Sequence, residues 1–426
     1  MTDATHPFSW RSIILPAYLP TLLFSIGEGA ILPVIPVVAT ERGASLAIAG
    51  LVAAMIMVGE LCGDLPAGWL VARIGERNAM IGASMLAVIG VLIALASPTE
   101  LALGVGMFLV GLATAVFGLA RHAFLTSYVP EAVRARALST LAGVFRGGWA
   151  VGPFVAAALI AWTGSTEVVL WVLVVACFAV VAVLLVLPDP ERVFGAARLV
   201  REASVADAGL TAGEAEADAA SHGVFRAIVT YRAVLLRIGS GVGLLAAVRA
   251  SRTVILPLWA VSIGMPPETA ALVIGVSATI DFALFYVSGQ VMDRFGRLWS
   301  AIPGLVGLGV GFLVLALTHD LPGAEAWFTG VALLFGIANG LSSGVILTLG
   351  ADLAPKANPA PFLAAFRTIG DAGGAAAPLI LAAVTSAVSI MAASATMGVL
   401  GFAGAVILWR YVPRYVPRRP HRPRST

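Results

Sequence analysis

Residues 289–298 read GQVMDRFGRL and residues 68–78 read GWLVARIGERN. Gly68 and Gly289 stand 221 positions apart, and so do Gly75 and Gly296. The same offset carries Pro36 onto Pro257, Glu60 onto Asp281 and Phe145-Arg146 onto Phe366-Arg367. In the fourth and tenth apolar runs the offset becomes 225, carrying Pro130 onto Pro355, and a shorter following loop restores it. One such match would be chance, but this many in register mark an internal duplication.

Around these stretches the chain is apolar. Of 426 residues, 59% are hydrophobic and 12% charged, and the mean hydropathy is +0.97. That composition excludes a soluble globular surface, so most of the chain faces lipid. A helix crossing a core of ~30 Å needs about 20 apolar residues. Apolar runs between polar breaks place spans at 14–38, 46–70, 78–96, 100–127, 137–162 and 166–187, then at 235–262, 268–291, 298–318, 325–353, 359–386 and 390–412. The expected fold is an all-α membrane protein, twelve transmembrane helices in two six-helix pseudo-symmetric bundles, 1–187 and 235–412. The first run is too long, and too polar at Glu28, for a cleaved signal peptide.

Charge distribution gives the orientation. Arg11, Arg73, Arg77, Arg134, Arg136, Arg294, Arg297 and Lys356 fall on one side of the alternating loops, and Arg42 alone on the other. The positive-inside rule then places both termini in the cytoplasm of a multi-pass plasma-membrane protein. Residues 188–234, rich in acids, arginine and alanine, read as a partly disordered cytoplasmic linker. The tail, 413–426, is rich in Arg and Pro and suits anionic lipid head groups rather than nucleic acid. Cys62 and Cys177 lie in separate spans, which suggests neither a disulfide framework nor a metal cluster.

The two quoted stretches resemble the loop signature G-x-x-x-D-R-x-G-R of the major facilitator superfamily. The second copy is complete, with Gly289, Asp293, Arg294, Gly296 and Arg297. The first has Gly68, Arg73, Gly75 and Arg77 but carries Ala72 where the family has aspartate and Glu76 where it has a basic residue. The resemblance implies spans 1, 4, 7 and 10 around a central cavity and spans 2, 5, 8 and 11 at the seam between halves. In span 5, Gly148, Gly152 and Pro153 resemble a stretch of the drug:proton antiporter branch. Small residues four apart also serve ordinary close packing of helices.

Ionisable groups within a span cost ~2.5–3.5 kcal/mol each, so they are functional candidates. Those singled out are Glu28, Glu60, Asp64, Arg121, Arg146, Arg249, Arg252, Asp281, Arg367 and Asp371. The repeat and the family topology predict two cross-seam pairs, Arg146 with Asp281 and Glu60 with Arg367, which would fix how the halves dock. The cavity group is Glu28, Arg121, His122, Arg249, Arg252 and Asn339. Glu28 is the candidate proton site: burial favours its neutral form and a nearby arginine its charged form. Glu28 and Arg249 are repeat-equivalent, so a permanent bridge between them is the structural alternative. Arg249 and Arg252, three apart on one helical face, suit a carboxylate or phosphate, or else pair with Glu28 or Asp371. His122 could titrate near neutral pH or merely face a neighbouring helix.

These readings predict a monomeric secondary transporter without cofactor or metal. It would move a small organic molecule by alternating access, with proton-coupled export as the leading direction. Proton-coupled uptake of an organic anion and a non-transporting membrane sensor are the alternatives. No nucleotide-binding loop, nucleophile–base pair or metal-ligand cluster is present in the sequence to suggest ATP drive or an enzyme.

Overall fold

The computed structural model describes residues 14–96, 98–129, 131–187, 228–355 and 360–415. Most of the linker, 188–227, and of the tail, 416–426, lies outside these residues, as do Arg11, Pro130 and Lys356. Among the described residues every regular element is a helix.

The first span is a bent pair, α1 (Leu19–Ile31) and α2 (Ile35–Glu41), preceded by a π-helical turn, Ile14–Tyr18. Spans 2 to 6 are α3 (Leu46–Ile74), α4 (Glu76–Ala96), α5 (Glu100–Tyr128), α6 (Glu131–Thr163) and α7 (Leu170–Val186). Spans 7 to 9 are α8 (Ser240–Ser262), α9 (Pro267–Phe295) and α10 (Leu298–Thr318). The tenth span is α11 (Ala324–Leu341) followed by α12 (Val345–Leu353), and the last two are α13 (Ala360–Ala387) and α14 (Ile390–Tyr415). Eleven stretches, or twelve with the bent pair, are long and apolar enough to cross a bilayer. The twelve-span reading therefore stands.

Two spans expected to be continuous are broken. Pro33 and Pro36 remove two backbone donors within one turn, and the first span bends by 40° there. Its repeat-mate α8 has only Pro257 and runs through. In the tenth span, Ser342–Gly344 interrupts the helix, with Gly344 at φ +78°.

Local geometry repeats as the sequence does. Gly75 and Gly296 both adopt the positive φ their turns require, +81° and +99°. Each donates to the carbonyl four residues back, of Val71 and Met292, the same position in each half. Gly43 and Gly264, at φ +90° and +70°, are a further pair at the 221 offset. Ser45 and Thr99 cap α3 and α5 by accepting from Ile48 and Ala102.

Contacts divide the chain into two compact units. One comprises the described residues within Met1–Ala215 together with Val254–Thr279, and the other those within Glu216–Thr253 and Ile280–Thr426. In the first, α1 packs on α6 and α7, α5 on α3 and α4, and α4 on α7. In the second, α10 packs on α11 and α14, and α13 on α14. Glycines set the spacing: a Cβ at Gly63 would meet that of Ala115 at 2.8 Å, and a Cβ at Gly340 would meet that of Leu284 at 2.7 Å. With the 221 and 225 offsets these are the same contact in the two units.

Candidate functional site

Glu28 lies in the last turn of α1 between Gly27 and Gly29. Those glycines let α7 and α6 close in: a Cβ on either would lie 2.9 Å from the backbone of Leu173 or Trp149. The result is a carboxylate with no solvent exposure. Thr114 of α5 donates to its Oε1 at 2.8 Å, and the Trp149 indole of α6 donates to its Oε2 at 2.9 Å. Both donors are neutral. The Thr114 hydroxyl also reaches the Val110 carbonyl at 3.1 Å. It can therefore donate to a charged Glu28, or turn its proton to Val110 and accept from a protonated one. Phe24 and Phe117, stacked with centroids 4.4 Å apart, lie a turn away on the same two helices.

Arg121, two turns beyond Thr114 on α5, is also buried. Its guanidinium lies 4.4 Å from the centre of the Phe145 ring, which itself packs against Trp149. Its Nε has no hydrogen-bond partner among the described residues, and Glu28 and Glu60 are its electrostatic neighbours. His122 is exposed, with Nδ1 2.7 Å from the Gly118 carbonyl of its own helix. Arg121 thus belongs to the electrostatic surroundings of Glu28, while His122 bonds the carbonyl of its own helix.

The second unit gathers Arg249, Arg252, Asp281 and Asn339. Arg249 Nε donates to Asn339 Oδ1 at 2.8 Å, and Asn339 Nδ2 donates to Asp281 Oδ2 at 2.7 Å. Arg252 reaches the same Asp281 oxygen at 3.3 Å. Arg249 also donates to the Ser342 carbonyl, 3.4 Å away, which the break between α11 and α12 frees. Ser288 takes the Ser343 carbonyl at 2.6 Å, and Ser300 takes that of Leu341. Three side chains from α8, α9 and α10 thus satisfy the broken helix. The partners seen for these arginines are Asn339, the Ser342 carbonyl and Asp281. Asp371 instead bonds Arg367 one turn away, at 3.3 Å on an exposed face of α13.

At the loop signature, Arg297 binds Asp352 at 2.8 Å and Asp293 at 3.4 Å. The Asp352 carboxylate holds the Arg297 guanidinium above its ordinary range. Arg77, whose loop lacks the aspartate, closes the end of α7 by donating to the carbonyls of Leu184, Leu185 and Leu187. Arg73 lies 5.2 Å over Trp69 and Arg294 5.3 Å over Phe295. Gly148 and Gly152 sit against α1, where a Cβ at Gly152 would lie 2.4 Å from Ala30 N. Close packing accounts for both glycines.

Sequence reasoning missed Thr114, Trp149 and Phe145. Thr114 was within reach, because the 225 offset places it opposite Asn339.

The family model described as Major Facilitator Superfamily matches residues 18–378. The galactose-proton symporter of Escherichia coli (strain K12) is 26% identical over 182 residues, 43% of this chain and 39% of that protein. The match thus spans well under half the length of that relative. Among solved structures, a D-xylose-proton symporter superposes with a TM-score of 0.69 at 16% identity, covering 96% of this chain and 98% of that one. A POT family transporter in complex with 5-aminolevulinic acid superposes with a TM-score of 0.70 at 12% identity, covering 96% and 97%. At these identities the two structures show a shared fold.

Proposed function

The chain belongs to the Major Facilitator Superfamily, and from that premise we propose that it is a proton-coupled secondary transporter of a small organic molecule, with Glu28 as the group that carries the proton. The observation that carries this reading is the setting of Glu28: a fully buried carboxylate whose two neutral partners can serve it both charged and protonated. Arg121 is its electrostatic neighbour, and alternating access that changes the surroundings of the carboxylate would load or release the proton.

Symport is the direction better supported. The curated relatives are described as galactose-proton symporters, and the span 5 glycines that suggested export are accounted for by packing on α1. Export in exchange for protons would use the same carboxylate. The arginine asymmetry of the loops supports cytoplasmic termini, and the proposal takes the protein as a plasma-membrane monomer. Arg146 with Asp281 and Glu60 with Arg367 belong to the proposal as the contacts that dock the halves in alternating access. Reversing both charges of one pair should restore transport lost in either single variant, and failure to rescue counts against it.

The deciding experiment is mass spectrometry of small molecules inside cells and in their medium, comparing wild type, Glu28→Gln and cells lacking the protein. Solutes enriched inside only with wild type support uptake, and solutes enriched outside support export. No difference across the metabolome moves the reading to a non-transporting sensor.

A further inference from the structure

The last span of the second unit ends differently from its repeat-mate. At the 221 offset Val186, the end of α7, falls on Ile407, yet α14 runs about two turns further, to Tyr415. That extension reads LWRYVPRY from Leu408 and carries Arg410 and Arg414, both exposed. They stand four apart on one helical face, a like-charge spacing that weakens a helix. A third arginine joins them from the π-helical turn Leu235–Gly239, which precedes α8 and packs on α14. Arg237 Nη1 donates to the Tyr415 hydroxyl at 2.8 Å, and its guanidinium lies 5.9 Å from the centre of the Tyr411 ring. The Arg414 guanidinium lies 5.9 Å from the same ring. Both tyrosines pack on a buried core that includes Leu235, Ile238 and Val412, so the rings that position these charges are fixed. Neither 228–262 nor α14 carries an acid. Of the other helices packed here, α10 has none and α13 has only Asp371, which bonds Arg367. Among the described residues no ion pair is seen to Arg237, Arg410 or Arg414.

We propose that this corner of the second unit binds one anionic phospholipid, whose head-group phosphate is taken by Arg237, Arg410 and Arg414. The site is independent of the reading of Glu28. Three guanidinium groups gathered without an acid repel one another, and a phosphodiester relieves that repulsion through charge-assisted, bidentate hydrogen bonds. The surroundings favour a lipid over free phosphate. Val406, Arg410 and Arg414 follow one another at four-residue steps along one face of α14, and Val406 is 61% exposed. That stripe leads from acyl-chain depth to head-group depth at ~6 Å per step. Leu236 and Trp409, also exposed, are the sequence neighbours of Arg237 and Arg410, and an indole at that level suits the membrane interface. Basic recesses between spans are where such head groups bind. Two general effects do not account for the arrangement. Arginine in the last turn of a helix suits its dipole, but Arg237 comes from a different element. Orientation needs only basic loops, not the extra turns of α14 or tyrosines to hold the charges.

The test is native mass spectrometry of the purified full-length protein in detergent, titrated with phosphatidylglycerol or with phosphatidylcholine of the same acyl chains. The second lipid carries the same phosphate, balanced by its own choline. One phosphatidylglycerol should stay bound at concentrations where phosphatidylcholine does not, and inorganic phosphate in large excess should not displace it. Arg237→Gln and Arg410→Gln should each weaken that binding by about tenfold or more, as loss of a charge-assisted hydrogen bond does. Arg410 is exposed, so its variant keeps the test open should Arg237→Gln fail to fold. Replacing Arg418 and Arg419 of the tail by glutamine should leave the binding unchanged. Equal retention of the two lipids, or displacement by inorganic phosphate, overturns the proposal. So does binding that is lost in the tail variant and kept in Arg237→Gln and Arg410→Gln, because the basic tail then attracts the lipid without a built site.

Discussion

Glu28 and Arg249 stand 221 residues apart in the internal repeat, and each makes a 2.8 Å hydrogen bond to the matched position of the fourth span of its own half, Thr114 in one and Asn339 in the other. The contact has been kept while its charge has been inverted. A duplicated frame thus holds an acid in one half and a base in the other.

Thr114 is expected to matter through its hydroxyl. Thr114→Val keeps the shape and removes both the donor to Glu28 and the acceptor for its proton. Hydrogen bonds to charged groups contribute about 1.5–3 kcal/mol, so proton-driven transport should fall by tenfold or more, with Thr114→Ser close to wild type. Uptake into proteoliposomes under an imposed pH gradient checks this. A valine variant as active as wild type would remove Thr114 from the site.

Asp281 should be costly to lose. Asp281→Leu removes the carboxylate that both Arg252 and the Asn339 amide bond, at about 3–5 kcal/mol. Asp281→Asn keeps an amide oxygen for both donors and should cost less. Thermal unfolding in detergent ranks the two, and equal losses would mean that the carboxylate position is not an acceptor hub.

Gly152 and Gly82 should respond oppositely to alanine. A Cβ at Gly152 meets the backbone of α1 at 2.4 Å, whereas at Gly82 nothing lies within 4 Å. Gly152→Ala should destabilise by about 1–3 kcal/mol through overpacking. Gly82→Ala should be neutral or stabilising by up to ~1 kcal/mol through helix propensity.

The Arg297–Asp352 pair should be insensitive to pH across the neutral range. Pairing raises the Arg297 pKa above an already very basic value, so its contribution is complete below the unfolded pKa and fades only as pH climbs through the folded one. Both bonded side chains are partly exposed. Asp352→Asn should therefore cost no more than ~1 kcal/mol, with an effect that shrinks in high salt. A loss that varies between mildly acidic and mildly alkaline pH would contradict this.

The sequence by itself determined the number of spans, the duplication, the loop signature and the gathering of arginines in one set of alternating loops. Each is written locally, since lipid demands about 20 consecutive apolar residues and a repeat is a matter of register. It also picked out Glu28, Arg249, Arg252 and Asn339, because a polar group in an apolar run is conspicuous. Only the tertiary structure decided what those groups touch. Thr114 and Trp149 lie 86 and 121 residues from Glu28 and look unremarkable in their own helices, where a threonine or an indole costs little and signals nothing. The breaks at Pro33 and Ser342–Gly344 likewise depend on neighbours that can satisfy the freed backbone, as Ser288, Ser300 and Arg249 do for the second. Hydropathy places a helix in the membrane, but the partners of a buried charge are set by which faces of distant helices meet.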